Sequence, residues 1–564
     1  MKKMIPVIVA IVLIILVVAA SLGMKIIEKY SYSKERADLE DYFNLHEERE
    51  TAIVLQDEIL EDKALLIDGM YYFSLDTVHQ YFNERFYEDN GEGLLLYTTP
   101  YDIIRANIGS TEYLQEGANE DAGYVIARYE GDVLYVAAEY VKKFTNFSYE
   151  TYTEPNRMQV YTQWGEQTWA EITKDTAVRY QGGVKSEILK DMEAGSTVIV
   201  LEEMDTWVRV KTDALIGYVE RKRLDNMHTE QMTAVTDYEE PVYTNISKDY
   251  KICMAWHQVT NAAANATLTD ALAGTQGLNT ISPTWFSLSD EDGNFTSIAS
   301  TDYVAQAHQR GLEVWGLVDN FNDAVDTYNV LSSTSKRTHL IDGLMQAAAA
   351  CGMDGINIDF EAPQMGAESG EHFVQFIREL SIACRAAGLV LSIDNYVPIG
   401  NTEYYGRAEQ GAVADYVIIM GYDEHWSGSS EAGSVASIGF VESGIQKTLE
   451  DVPPEKVINA VPFYTRVWKT EGGEMTSSAL GMNSVDQFLA QNGVSAVWDE
   501  ETCQNYAEFE DNNGCLYQVW LEDEQSLEVK LNIMARYKVA GVGAWKLGFE
   551  RPSVWNVIDG FLHG

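Results

Sequence analysis

The sequence predicts an α/β protein whose C-terminal part, residues 251–564, is a (β/α)8 TIM barrel with an insertion before the last strand. Two small domains precede it, one duplicated α+β and one all-β. Three observations predict this. Apolar strand-like runs alternate with helical stretches eight times across the C-terminal region, the pattern of a parallel sheet wound with helices. One run, Asp354-Gly-Ile-Asn-Ile-Asp-Phe-Glu361, ends in acid. Ile356, Ile358 and Phe360 fall on one face of a strand there; Asn357, Asp359 and Glu361 fall on the other. Burying such a polar line is costly unless its members bond to one another or to a ligand, and a barrel strand reaches its catalytic end in this way. Finally, 564 residues, 46% of them hydrophobic, are enough for a sizeable core and too many for one ordinary domain.

Taken in order, the elements begin with Lys2 and Lys3 ahead of an uncharged run from Met4 to Met24. As a helix those 21 residues span roughly 30 Å, the thickness of a bilayer core. Residues 1–24 are therefore expected to be a single-pass signal-anchor, with the N-terminus inside the cell membrane and the rest outside. The rival is a cleavable signal peptide, with Val18-Ala19-Ala20 as a weak cleavage site and a run long for that purpose. Either way, residues beyond about 30 are expected outside the cytoplasm. Residues 25–61 are charged and helical in pattern, and read as a stalk. In residues 62–165 the block Tyr71–Val78 resembles Leu134–Val141, 63 residues further on. Each block is a short strand running into a helix, so the region reads as a pseudo-symmetric duplicated α+β domain. Residues 170–225 alternate apolar with polar in Ala177–Arg179, Thr197–Leu201, Trp207–Val210 and Ile216–Val219, with turns at Gly182-Gly183, Ala194-Gly195 and Asp213-Ala214. Residues 226–250 are polar and aperiodic, and read as a linker.

The barrel strands are expected at Ile252–Trp256, Thr280–Ser282, Leu312–Val318, Gly355–Glu361, Val390–Ile393, Tyr416–Met420, Val457–Val461 and Gly541–Trp545. Helical stretches such as His372–Ala387 and Ser526–Tyr537 lie between them. From about 469 to 520, short strands and aromatic residues break the alternation and mark the insertion.

Composition excludes some functions. The net charge is −47, from 87 acidic and 40 basic residues, so nucleic acid is not expected as a partner. The acidity reads as a self-repelling surface and is compatible with a neutral or cationic polymer as substrate. Five cysteines form no disulfide framework. Cys253, Cys351 and Cys384 sit in apolar runs as buried thiols, and Cys503 and Cys515 flank an acidic segment as the one candidate pair. No Cys/His spacing suggests zinc, the nine histidines do not cluster, and no cofactor is expected.

Several motifs at strand ends occur in a fixed order. They are Asp354-Gly-x-Asn357-x-Asp359-x-Glu361, then Met420-Gly-Tyr422-Asp423, then Pro462-Phe-Tyr464-Thr-Arg466, then Trp545. Together they resemble glycoside hydrolase family 18, whose signature D-G-x-D-x-D-x-E ends the fourth barrel strand. The resemblance covers the C-terminal region and implies substrate-assisted retaining hydrolysis, in which the substrate's own N-acetyl group attacks. By this resemblance Glu361 is general acid and then base, Asp359 orients the acetamido group, and Tyr422 donates a hydrogen bond to it. Trp545 floors the sugar site. A buried acid beside Asp359 is expected to have a raised pKa. Asn357 departs from the commonest pattern, which has aspartate. Its amide is expected to donate to Asp359 and hold it ionised, leaving the pH profile to Glu361. Replacement of Asn357 by Asp is expected to alter the acidic limb more than the maximum.

Tyr464 and Arg466 are candidate substrate contacts or packing at the barrel rim, and Asp423 and Glu424 are candidate partners of sugar hydroxyls. Trp426 is a candidate stacking residue, in a loop that also carries His425. Asn395, at the end of strand five, is a candidate for the acetamido site. Trp285 and Trp256 end early strands as core or as stacking platforms. A barrel that kept these residues as a lectin is the alternative to catalysis.

Two further resemblances bear on the substrate. Residues 170–225 resemble bacterial SH3-like domains, which implies binding of cell-wall peptides or glycans; a spacer is the alternative. Residues 62–165 loosely resemble copper amine oxidase N-terminal-like domains, with no ligand set for copper. The runs Tyr422–Trp426, Trp520–Glu524 and Ala544–Gly548 resemble the branch of spore cortex-lytic N-acetylglucosaminidases. The implied function is a membrane-tethered hydrolase of peptidoglycan, cutting after N-acetylglucosamine. A chitinase is the runner-up, and a non-catalytic wall-binding protein is the alternative from another class.

Overall fold

The computed structural model describes residues 5–234, 236–400 and 402–563. Lys2 and Lys3, on which the expected orientation of the first helix rests, lie outside the described residues. The chain divides into two compact units, Met1–Phe86 with Arg105–Glu240, and Tyr87–Ile104 with Pro241–Gly564.

The second unit holds the barrel. Its strands are β1 (Ile252–His257), β2 (Thr280–Leu288), β3 (Glu313–Asp319), β4 (Gly355–Asp359), β5 (Val390–Tyr396), β6 (Tyr416–Met420), β7 (Val457–Pro462) and β8 (Gly541–Trp545). All eight neighbouring pairs are parallel, and β1 pairs with both β2 and β8, which closes the ring. Two helices show how the chain returns to each strand. Thr334–Cys351 ends at Gly352 (φ 72°) and Gly370–Ala387 ends at Gly388 (φ 69°). Glycine takes this left-handed cap at no steric cost, and the chain enters β4 or β5 within a few residues.

Strand β4 has the alternation read from sequence. Ile356, Ile358 and Phe360 are fully buried in the layer between sheet and helices. Phe360 stacks on Phe376 of helix Gly370–Ala387, with centroids 5.8 Å apart. Each such side chain contributes about 1.5–3 kcal/mol on burial, and a one-residue slip would drive the polar face into this apolar layer. The barrel interior is packed by Met254, Trp315, Leu317, Ile418 and Ile458.

Between β7 and β8 the strands Tyr464–Glu471, Glu474–Gly481, Val497–Asp499, Gln504–Glu510 and Leu516–Leu521 form an antiparallel sheet beside helix Met482–Asn492. The insertion begins at Tyr464, ahead of the change in composition at 469, because its first strand continues the apolar character of β7. The candidate pair Cys503–Cys515 is not formed; all five cysteines are free. Cys503 precedes the seven-residue strand Gln504–Glu510 and Cys515 follows the turn at its far end. A strand of that length separates its ends by roughly 20 Å, beyond the reach of a disulfide.

The segment Tyr87–Ile104 also belongs to this unit, and it fastens two barrel helices. Asp89 Oδ2 accepts from the backbone N–H of Thr334 at 2.6 Å and from its hydroxyl at 2.5 Å. Arg337 pairs with Glu379 through two hydrogen bonds of 3.1 and 2.9 Å, both side chains being at most 1% exposed. It also donates to Tyr87 Oη at 3.1 Å, and Gln375 donates to Thr98 Oγ1 at 3.0 Å.

The first unit starts with helix Ile5–Tyr30. It is long and apolar enough to cross a membrane, with a mean hydropathy of 3.1 and none of its apolar stretch buried. The stalk read over 25–61 is corrected by the structure. The helix ends at Tyr30, and Glu50–Leu55 and Glu58–Ile67 are antiparallel strands of a seven-stranded sheet. The charges suggested a solvated helix, but the run Ala52-Ile53-Val54 is fully buried, and only pairing with chain far away in sequence reveals that. In the same sheet the two repeat blocks meet. Phe73 pairs with Val136, its counterpart in the repeat, flanked by Tyr72–Ala137 and Ser74–Tyr135, so a local two-fold passes between the copies.

A second seven-stranded antiparallel sheet runs from Glu166–Ile172 to Leu224–Gln231. The linker expected from residue 226 therefore starts as an edge strand through Gln231. That strand is exposed along almost its whole length and carries no apolar period by which to read it.

Candidate active site

The barrel interior opens on a cleft of about 170 Å³ lined by Trp256, Phe321, Asp359, Glu361, Asp394, Tyr396, Met420, Tyr422, Asp423 and Trp545. These residues end or follow strands β1, β3, β4, β5, β6 and β8, at the C-terminal rim where barrel enzymes place their chemistry.

Asn357, the first polar residue of β4, lies at the base and is fully buried. Its carbonyl oxygen accepts from Trp256 Nε1 at 2.9 Å and from Ser282 Oγ at 3.0 Å. Its amide donates to Asp394 Oδ1 on β5 at 2.9 Å. The expected donation to Asp359 is thus corrected. Inward-facing positions of neighbouring strands lie side by side, so the nearest acceptor is across the strand pair and not two residues along the same strand.

Asp359 sits above Asn357 and is nearly fully buried. Burial is the main cause that drives its pKa far above the ordinary range, followed by the charges of Glu361 and Asp394. Burial thus favours the protonated form of Asp359, where the sequence reading expects it held ionised by Asn357. Glu361 is also raised by burial, with hydrogen bonds from Tyr396 and Asp359 opposing and the charges of Asp423 and Asp319 adding. Tyr396 Oη donates to Glu361 Oε2.

The backbone of Glu361 is braced. Asn320, fully buried just after β3, accepts from Glu361 N–H at 2.8 Å and donates to its carbonyl at 3.0 Å. Tyr405 Oη donates to the carbonyl of Phe360 at 2.8 Å. Two buried carboxyl groups, each pushed toward its protonated form by burial, face a cleft lined also by Trp256 and Trp545, whose rings lie 6.0 Å apart. Such a site can protonate the oxygen of a bound ligand and stabilise positive charge next to it. Among the described residues no group of three or more His, Cys, Asp and Glu side chains is arranged to hold a metal ion.

Of the residues predicted from sequence, Glu361, Asp359, Tyr422, Asp423 and Trp545 line the cleft. Tyr464 donates to Asp423 and packs edge-on to Tyr422, 6.3 Å between centroids. Arg466 bonds Ser477 at 3.1 Å and places its charge toward Asp423. Trp426 is exposed on the loop after β6. Three residues are elsewhere. Asn395 faces away from the cleft and exchanges hydrogen bonds with Gln410, at 2.7 and 3.2 Å, on helix Arg407–Val413. Glu424 accepts from the backbone and hydroxyl of Ser437, at 2.7 and 2.9 Å, at the start of helix Ile438–Thr448. Trp285 is core, bonded to Asn265 at 2.8 Å. Asp394, Tyr396, Asn320 and Phe321 were missed. Counting by two along Leu391, Ile393 and Asn395 would have put Ser392, Asp394 and Tyr396 on the inner face.

Comparison with known proteins bears on the barrel as a whole. Residues 250–550 match the family model for glycosyl hydrolases family 18. The uncharacterized glycosylase YvbX of Bacillus subtilis (strain 168) is 27% identical over 285 residues, 48% of this chain and 80% of that protein. The cortical fragment-lytic enzyme of Bacillus anthracis is 27% identical over 281 residues, 47% of this chain and 64% of that protein. The match thus spans less than two thirds of the cortical enzyme. The crystal structure of the Bacillus cereus spore cortex-lytic enzyme SleL superposes with a TM-score of 0.51 at 22% identity, covering 59% of this chain and 79% of SleL; it shares the fold.

Proposed function

The chain belongs to glycosyl hydrolase family 18, and from that premise we propose that it cleaves the β-1,4 bond after N-acetylglucosamine in cell-wall peptidoglycan. The observation that carries the reading is the buried Asp359–Glu361 couple facing the cleft between Tyr422 and the Trp256–Trp545 floor.

The chemistry follows the geometry. Glu361 gives its proton to the glycosidic oxygen as the C1–O bond breaks. The acetamido oxygen of the same sugar bonds C1, which forms an oxazolinium ion with retained access to one face. Asp359 holds the acetamido N–H and balances the charge that develops there. Tyr422 donates to the acetamido oxygen, and Trp545 supports the ring. Water then attacks C1 as the bond from C1 to the acetamido oxygen breaks and the acetamido group is restored, and the water passes its proton to Glu361, which restores the acid. Asp423 and Tyr464 contact sugar hydroxyls, with Arg466 behind them, and Trp426 stacks on a sugar outside the cleft. The raised pKa of Glu361 suits an acid that works near neutral pH.

The wall as target rests on the likeness to the cortical fragment-lytic enzyme. The helix Ile5–Tyr30 supports tethering, with the barrel on the wall-facing side of the membrane. The small antiparallel sheet from Glu166 to Gln231 supports contact with wall peptides or glycans.

Purified peptidoglycan and N-acetylchitooligosaccharides, each incubated with the full chain in detergent, test the reading through new reducing ends. Release from peptidoglycan, lost about 100-fold or more in Glu361→Gln, is the expected result. Release from the chitooligosaccharides alone would move the substrate to chitin. Binding without release from either polymer would favour a lectin.

A further inference from the structure

The commonest family signature places a second carboxylate at the position of Asn357, two residues before Asp359. Here that position is an amide, and its N–H2 points to a carboxylate on the adjacent strand, Asp394 Oδ1 at 2.9 Å. Asp394 is 1% exposed. Among the described residues its second oxygen has no hydrogen-bond partner, and neither has Oδ1 of Asp359. Two buried carboxyl groups, each with an unsatisfied oxygen, are costly unless a proton, a water or a substrate group serves them. The groups that face Asp394 come from three neighbouring elements. They are Asp359 at the end of β4 and Glu361 just after it, Trp256 from β1, and Tyr422 from the turn after β6, with Tyr396 above it on its own strand. Asp319 on β3 acts on Asp359 and Glu361. Among the described residues no cationic side chain lines this cleft.

We propose that Asp394 is a positioning residue of the catalytic set: it supplies from β5 the buried carboxyl that Asn357 does not supply from β4, and Asn357 orients it. The proposal rests on the hydrolase reading above. Asp359, Glu361 and Asp394 then titrate as one set, whose last proton is held jointly. Asp394 does not touch the bond being cleaved. It keeps that proton in the site at the pH where Glu361 must deliver it.

The substitution Asp394→Asn keeps an oxygen to accept from Asn357 and removes one ionisable group. With one negative charge fewer, the proton on Glu361 is expected to leave more easily. The basic limb of the kcat/KM profile of Asp394→Asn should fall by about one pH unit. The double variant Asn357→Asp with Asp394→Asn returns a carboxyl to the neighbouring strand, and it should bring the limb back toward the wild type. An unshifted limb in Asp394→Asn, or a double variant that titrates like the single one, would overturn the proposal.

A second readout does not need activity. A buried carboxyl with a raised folded pKa favours folding at low pH, and that stability is lost as pH rises toward the folded pKa. The Tm of Asp394→Asn relative to the wild type should therefore climb as pH rises above about 4, and the double variant should cancel the climb. A constant difference across pH would sink the idea. A wild type inert on every glycan, with the climb present, would overturn the hydrolase reading and leave the carboxyl set standing.

Discussion

Tyr396→Phe isolates one hydrogen bond to the acid. The ring remains packed edge-on against Tyr405, 6.1 Å away, and only the hydroxyl that donates to Glu361 Oε2 is lost. A hydrogen bond to a charged group is worth about 1.5–3 kcal/mol. The bond favours ionised Glu361 over its protonated form, so its removal raises the pKa of Glu361. At 1.36 kcal/mol per pKa unit the rise is about 1–2 units. The basic limb of the pH profile should move up by that amount, and the variant should keep a larger fraction of its own maximum above neutral pH. The maximum should fall by about tenfold, because the carboxylate loses its orientation for the second step. Initial rates on an N-acetylglucosamine oligomer with a fluorogenic leaving group, measured across pH, provide the assay. A limb that stays in place, or moves to lower pH, would show that Tyr396 does not govern the proton on Glu361.

Other perturbations separate positioning from packing. Asn320→Ala removes both bonds to the backbone of Glu361; kcat should drop by about tenfold or more with little change in KM, since the substrate floor is untouched. Arg337→Met leaves Glu379 as an uncompensated buried charge and should cost about 3–5 kcal/mol in denaturant unfolding, while Arg337→Met with Glu379→Leu recovers most of it; equal losses in the two variants would refute that. Trp285→Ala should lower stability by about 3–5 kcal/mol, as a core residue bonded to Asn265 does. Trp426→Ala should leave Tm unchanged and raise KM for long glycans several-fold, because the ring is 55% exposed and stacking is its only proposed use.

Much of the site could be read along single strands. The alternation through Asn357, Asp359 and Glu361 is a property of one strand, and local pattern is enough to place all three on one face. Tyr422, Asp423 and Trp545 follow strand ends in the same way. Local pattern does not carry what the neighbouring element decides. Asn395 and Asp394 are adjacent in sequence and face opposite layers, so an error of one residue moved the choice from the cleft to a helix-packing position. Glu424 looked like a sugar contact because it follows Asp423, yet it caps the helix that starts at Ile438. Asn320 and Tyr405 act on the backbone of β4 from other loops, and no periodicity announces that.

The N-terminal part shows the same division. The repeat was visible as similar words 63 residues apart, but the pairing of Phe73 with its own counterpart Val136 was not. The charges around Glu47–Glu50 suggested a helix, where the buried run that follows is a strand.

Eight alternations and one acid-ended strand, both local patterns of side-chain polarity, are what the chain alone determined: the barrel, its acid-ended fourth strand and the place of Glu361 at its end. Which groups surround that acid was decided only by the closed sheet. Register between β4 and β5 brings Asp394 to Asn357, and the exits of β3 and β5 bring Asn320 and Tyr396 to Glu361. The physical reason is distance. Burial, shared protons and Coulomb coupling act across a few ångströms of space, and the residues they join here are separated by tens of positions in the chain.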